Sequence, residues 1–135
     1  MSDAQIVSTT DVAWETWEPE QIPSRGRVAW KTLFSQGRTN TDSLTVGMAI
    51  IHPNDALFPH HHSPSEIYFI LHGEGVVTLG EQEHVVHAAD AVFIPANLRH
   101  GIANRGDADL IFLYAFAEHS FDGIEYHFPE GEETF

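Results

Sequence analysis

The sequence predicts an all-β domain folded as a jelly-roll β-barrel, and three observations carry that expectation. From Asp42 onward, short runs rich in β-branched and aromatic residues are separated by Gly, Asn, Asp and Pro, the punctuation of strands and tight turns. Helical periodicity is hard to find in any window. The chain has 135 residues, about one domain's length, and its eight runs suit two sheets folded face to face, which protects strand edges.

Taken in order, the runs place strands at 28–34, 43–52, 66–72, 75–79, 83–86, 91–94, 100–104 and 110–117. Turn residues part them: Gly73-Glu74-Gly75, Gly80-Glu81-Gln82, Ala88-Ala89-Asp90, Pro95-Ala96-Asn97 and Asn104-Arg105-Gly106-Asp107. The barrel core is thus expected over about 28–117 of a single domain spanning 1–135, with no repeat or linker. Both ends lack alternation, yet Trp14, Trp17, Phe121, Tyr126 and Phe128 point to terminal arms packed on the barrel or on a partner subunit. Residues 129–134 read as a mobile tail.

Composition narrows the function. Net charge is −14, from 20 Asp and Glu against 6 Lys and Arg, which argues against nucleic acid or an anionic membrane surface as partner. Four of the cations, Arg25, Arg27, Lys31 and Arg38, lie close together, and the centre of the chain is acidic and rich in His. There is no cysteine, so disulfides and thiolate ligands are excluded and His and carboxylate remain as ligand types. No stretch approaches the ~18 apolar residues of a membrane span, and the opening segment has neither the basic start nor the apolar run of a signal peptide. The expectation is a soluble, cytoplasmic protein.

Against that background one constellation stands out. The chain reads His60-x-His62-x3-Glu66-x6-Gly73 and, further on, Pro95-x-Asn97-x2-His100-x3-Asn104. Three imidazoles and a carboxylate at such intervals suit one divalent transition metal with open coordination positions. Strand side chains alternate faces, so His60, His62, Glu66 and Tyr68, all of one parity, point the same way if the chain stays extended across Ser63-Pro64-Ser65. His61, of opposite parity, points away.

These residues resemble the cupin superfamily. Its first motif is similar to Gly-x5-His-x-His-x3-4-Glu-x6-Gly and its second to Gly-x5-Pro-x-Gly-x2-His-x3-Asn. Asn54, Ala89 and Asn97 stand here where three of the glycines are usual, while the ligand positions His60, His62, Glu66 and His100 are intact. The resemblance implies a cupin-type jelly roll (a double-stranded β-helix), one Fe, Mn, Ni or Zn ion per chain, and a homodimer. A narrower likeness rests on the run from His60 to Tyr68, on Arg27-Val-Ala-Trp30-Lys31 and on Phe121-Asp-Gly-Ile-Glu-Tyr126. It resembles the small cupin lyases that cleave dimethylsulfoniopropionate, and implies Tyr68 as catalytic base and Tyr126 as a second pocket tyrosine.

The expected chemistry is a metal-assisted β-elimination on a small carboxylate substrate, giving dimethyl sulfide and acrylate. Alternatives are a cupin dioxygenase acting on a chelating substrate and a non-catalytic barrel that binds a small ligand. Several residues carry two readings at this point. Tyr68 is a base or a core tyrosine whose hydroxyl finds a backbone partner, Tyr126 a pocket residue or tail packing, Trp30 an aromatic face for a sulfonium or core, and Asn104 pocket lining or turn. Lys31 and Arg99 stay outside the expected site.

Overall fold

The computed structural model describes residues 4–39, 41–118 and 124–129. In chain order the strands are β1 (Glu15–Thr16), β2 (Ala29–Phe34), β3 (Thr45–Ile51), β4 (Ala56–His60) and β5 (Glu66–His72), then β6 (Glu74–Leu79), β7 (Gln82–His87), β8 (Ala91–Ile94), β9 (His100–Ala103) and β10 (Leu110–Phe116). They form a six-stranded sheet in the order β1-β2-β3-β10-β5-β8 and a four-stranded sheet in the order β4-β9-β6-β7. Every ladder is antiparallel, and the sheets enclose a core of Ile51, Ile70, Ile94, Ile102, Leu110 and Phe112. This is the jelly-roll barrel expected from the pattern of runs. No helix among the described residues is long and apolar enough to cross a membrane.

All eight expected strands are present, with ends displaced by no more than two residues. Two strands escaped the sequence reading. β1 is only two residues long; Glu15 holds it in place through Arg38 Nη1 and Nη2 at 2.7 and 2.8 Å and Thr32 Oγ1 at 2.8 Å. The Arg38 guanidinium keeps the Glu15 carboxyl below the usual carboxylate range. β4 carries Pro59, which lacks a ladder donor, and its pairing with β9 is interrupted between Leu57 and His60. Proline there reads as loop, but an edge strand tolerates it.

Turn geometry explains the missing glycines. Asn54, Ala89 and Asn97 are the non-glycine residues with positive φ, at 71°, 75° and 63°, among those described. The backbone therefore keeps the left-handed bends of the cupin motifs while the residues at them have changed. Asn adopts this conformation at little cost; alanine does not. The β6–β7 hairpin is one residue tighter than expected: Leu79 pairs with Gln82, leaving Gly80-Glu81 as its turn.

Trp17 and Tyr126, one from each terminal arm, pack against the core. A short helix, α1 (Ile22–Arg25), follows a 3-10 turn at Pro19–Gln21 and leads into β2, while the segment around Tyr126 returns across the barrel mouth. Phe121 and most of the expected tail, 130–134, lie outside the described residues.

Candidate metal centre

Four buried polar side chains, His60, His62, Glu66 and His100, gather at one end of the barrel. His60 closes β4 and His100 opens β9, and the two are cross-strand partners. The strands approach closely here because residue 101 is glycine: a Cβ on Gly101 would lie 2.8 Å from Pro59 N and 2.9 Å from Leu57 O. Glu66 and Tyr68 are the first and third residues of β5, so alternation puts both inside. His62 sits in the connection between β4 and β5, which is tied to the second motif by Asn97 N–H donating to His62 O at 2.8 Å. All four groups are out of solvent, from His100 at 0% exposed to Glu66 at 5%.

Hydrogen bonding settles how the imidazoles are presented. His60 Nδ1 meets Phe58 O at 2.8 Å, His62 Nδ1 meets Pro64 O at 3.0 Å and His100 Nδ1 meets Leu98 O at 2.8 Å. A carbonyl oxygen only accepts, so each Nδ1 carries a proton and, in a neutral ring, each Nε2 is left with a lone pair. Burial, with His100 adjacent, lowers the His60 pKa well below its usual value and keeps that ring neutral. The inward nitrogens then meet an acceptor: Glu66 Oε1 lies 3.0 Å from His62 Nε2 and 3.2 Å from His100 Nε2. His100 Nε2 is buried without a hydrogen-bond partner.

Imidazole nitrogens and a carboxylate oxygen gathered in one buried site are a donor set that suits a cation, and His62 Nε2 and Glu66 Oε1 are already within hydrogen-bond distance of each other. One ligand atom from each of His60, His62 and His100 lies within 4.8 Å of the others, so these three could hold a metal ion. Each imidazole already has the carbonyl partner on its far nitrogen that orients metal-binding histidines. The residues present fit the metal that the resemblance implies.

Around this cluster the walls are aromatic. A cavity of about 40 Å³ is bounded by His60, Glu66, Tyr68, Trp17, Trp30 and Tyr126, among others. Tyr68 is 1% exposed; it belongs to the buried core and also bounds this cavity. Burial, then the Glu66 carboxyl, raises the Tyr68 pKa well above the usual phenol value, and the same two causes raise Tyr126. Tyr126 joins the site from the C-terminal arm, its ring 5.4 Å from that of His62 and 5.6 Å from that of His60. Trp30 is buried in the same wall, so packing and pocket lining are one role.

Three other sequence readings are resolved. His61 is exposed, its ring stacked on His127 at 4.7 Å. Asn104 is a turn residue and does not line the cavity: Nδ2 donates to Ile51 O and Ala108 O at 2.8 Å, and Oδ1 accepts from Gly106 N at 3.0 Å. Lys31 and Arg99 are engaged elsewhere, donating to Thr9 O and Gly80 O.

Sequence reasoning treated Trp17 and Phe128 only as packing and passed over Arg25. Phe128 stacks on His60, with ring centroids 4.6 Å apart, and Arg25 Cζ lies 4.7 Å from the Trp17 ring and 4.9 Å from the Phe128 ring. The aromatic residues were visible as such; a cation bridging two arms distant in sequence left no local signal.

Known proteins agree with this architecture. Residues 47–116 match the family described as Cupin domain. The chain is 38% identical over 106 residues to the dimethylsulfoniopropionate lyase DddW of Ruegeria pomeroyi, covering 78% of this chain and 69% of that protein. It is 30% identical over 100 residues to an oxalate-binding protein of Thermotoga maritima, covering 70% and 83%. Among solved structures, the polyketide cyclase RemF from Streptomyces resistomycificus superposes with a TM-score of 0.78 at 20% identity, covering 98% of this chain and 89% of that one, a likeness of fold alone. With its jelly roll, its intact His-His-Glu-His positions and a family match across most of the barrel, this chain belongs to the cupin family.

Proposed function

We propose that this chain is a metal-dependent lyase that cleaves dimethylsulfoniopropionate, or a close β-substituted carboxylate, by β-elimination. The observation that carries the reading is the convergence of three buried imidazoles and the Glu66 carboxylate beside the buried Tyr68. The likeness to DddW supports the substrate class. His60, His62 and His100, with Glu66 beside them, are the residues that would hold the ion. When bound, a divalent cation supplies Lewis acidity toward the substrate carboxylate and a positive charge that favours phenolate over phenol nearby.

The chain's own residues do the rest. Tyr68 Oη takes the proton from Cα; the C–H electron pair becomes the new C=C bond, the Cβ–S bond breaks, and its pair leaves on neutral dimethyl sulfide, giving acrylate. Tyr126 and Trp17 close the space above and exclude water, which strengthens every charge interaction within. Trp30 and Trp17, with rings 4.8 Å apart, offer aromatic faces that suit a sulfonium.

The test is dimethyl sulfide release from metal-loaded protein under anaerobic conditions, with Tyr68→Phe alongside. Turnover is expected without oxygen, and Tyr68→Phe is expected to lose about 10² to 10⁴-fold in kcat, the range for a general base, with unchanged metal content. A requirement for oxygen overturns the lyase assignment, and near-normal turnover by Tyr68→Phe overturns the base. Tyr126→Phe is expected to cost no more than about tenfold, equivalent to about 1.4 kcal/mol.

A further inference from the structure

A second and larger cavity, of about 270 Å³, lies apart from the histidine cluster, none of whose members lines it. Its floor is a cross-strand row on the outward side of the six-stranded sheet, where the registers align Thr16 of β1, Ala29 of β2 and Ile50 of β3. Ala29, the smallest of the three, sits in the middle, and its missing bulk makes the hollow. Ile22 of α1 also lines the cavity. The chain turns from α1 into β2 at Gly26, which holds φ at 88° against the Ala56 carbonyl, where a Cβ would collide. The volume is close to the ~300 Å³ at which small-molecule sites begin.

The rim is charged, and its charges are uncommitted. Of the chain's 6 Lys and Arg, Arg38 and Arg105 pair with Glu15 and Glu83, Lys31 and Arg99 donate to Thr9 O and Gly80 O, and Arg25 lies over the Trp17 and Phe128 rings. Arg27 is the sixth. It lines this cavity, is exposed, and has no hydrogen bond or ion pair among the described residues, in a chain that offers 20 Asp and Glu. Asp55 lines the same cavity. Its backbone is tied on both sides, N–H donating to His52 O and O accepting from Asn104 N–H, each at 3.0 Å, while its carboxylate has no partner among the described residues. Between them His52 is held at the rim by Asp109, with Nδ1 2.7 Å from Oδ1.

The signs of these charges identify the ligand class. Arg27 and Asp55 share one cavity without forming an ion pair, so each is free to pair with an opposite charge on a bound molecule. A simple anion drawn to Arg27 would face the Asp55 carboxylate, and a simple cation drawn to Asp55 would face the guanidinium. A molecule that carries both signs satisfies both groups and lays its apolar body on Ala29 and Ile50.

We propose that this outer cavity binds a small zwitterion, with the ligand's carboxylate on Arg27 and its onium group at Asp55. The site does not rest on the lyase reading. It does adjoin the metal centre, because Trp17 and Val28 line both cavities, so a ligand in the outer one is registered in a wall of the inner one.

The test titrates glycine betaine, a carboxylate and a quaternary ammonium in one molecule, into the zinc-loaded chain over roughly 0.1 to 100 mM, a range that brackets millimolar binding. Amide and indole N–H resonances are followed by NMR. Saturable shifts are expected at the amides of Thr16, Ala29 and Ile50 and at the Trp17 indole. Arg27→Gln and Asp55→Asn are each expected to weaken binding at least ~10-fold, as for the loss of one charge-assisted pair. Acetate and tetramethylammonium, with one charge each, are expected to bind at least ~10-fold more weakly than betaine. Unchanged resonances away from the cavity show that the variants are folded; if either substitution disturbs the fold, Ala29→Leu, which fills the hollow, is measured for the same loss of binding. Shifts that never saturate overturn the proposal, as do shifts confined to His60, His62 and His100, which place betaine on the metal. Folded variants that bind normally overturn it too, and acetate binding as tightly as betaine reduces the site to an anion on Arg27 and ends the zwitterion assignment. Dimethyl sulfide release plays no part in this readout, so failure here leaves the lyase reading standing, and the reverse holds.

Discussion

The site has two halves held by different means. Glu66 and Tyr68 ride on β5, laddered to β10 on one side and β8 on the other, and His100 opens β9, which lies between β4 and β6. Above them Trp17, Tyr126 and Phe128 belong to arms with far fewer ties. The C-terminal arm is joined to the barrel by the paired bonds His61 N–H to His127 O at 3.1 Å and His127 N–H to His61 O at 2.9 Å, with Arg25 laid across the aromatic rings. Between the halves lies a cavity of about 40 Å³, far below the ~150 Å³ that receives a benzene ring. The contrast is one of support: strand ladders fix the ligand-type side chains, while the arms supply aromatic cover through a few bonds and ring contacts.

The largest effect expected follows from breaking the barrel half. His100→Ala removes the imidazole with the orphaned Nε2, and metal content should fall from about one ion per chain towards zero, as for a site losing one of its few protein ligands. Activity should fall by at least about 10³-fold, equivalent to about 4 kcal/mol of lost Lewis-acid stabilisation. Elemental analysis checks the first and dimethyl sulfide release the second. A variant that keeps its metal would show that His100 is only a packed core histidine.

A smaller effect is expected from the arm half, and of a different kind. Phe128→Ala removes the ring stacked on His60 and one of the two rings under Arg25. Aromatic contacts are worth about 0.5–1.5 kcal/mol, so the arm should open up to about tenfold more readily. Hydrogen exchange at the His127 amide should quicken and KM should change, while bound metal stays constant. Loss of metal together with the arm would show that the halves are one unit and end the comparison.

The two halves also differ in how readable they were. The grouping of His60, His62 and His100 was legible because two short motifs space them, the shared inward face of Glu66 and Tyr68 because of strand parity, and β5 and β8 matched the expected bounds to the residue. Edge strand β4 was hidden by Pro59, because proline signals a loop unless the partner strand is already known. Trp17 and Phe128 were visible only as aromatic residues: their contact with each other depends on two arms 111 positions apart in the numbering meeting at one barrel mouth, which no local pattern encodes. Arg25 is the extreme case, a cation held by rings in place of a carboxylate.

The smallest effect sharpens the comparison by leaving both halves of the site untouched. Ala89, in the turn between β7 and β8, holds φ at 75° and donates its N–H to Ile70 O at 2.8 Å. A Cβ in the left-handed region costs about 1–2 kcal/mol, while glycine in its place sacrifices about 0.5–1 kcal/mol of unfolded-state entropy. Ala89→Gly should therefore stabilise the barrel by about 0.5–1 kcal/mol, raising Tm by about 2–4 °C. Asn97→Gly, at φ 63°, should shift Tm far less, because asparagine already tolerates that conformation. Turnover and metal content should be unchanged in Ala89→Gly, since the relieved strain lies in a barrel turn and not in the arms. If Ala89→Gly lowers Tm, the turn draws more from the alanine methyl than its backbone angle costs, and the glycine of the cupin motif at this position is dispensable for a packing reason that the angle alone does not reveal.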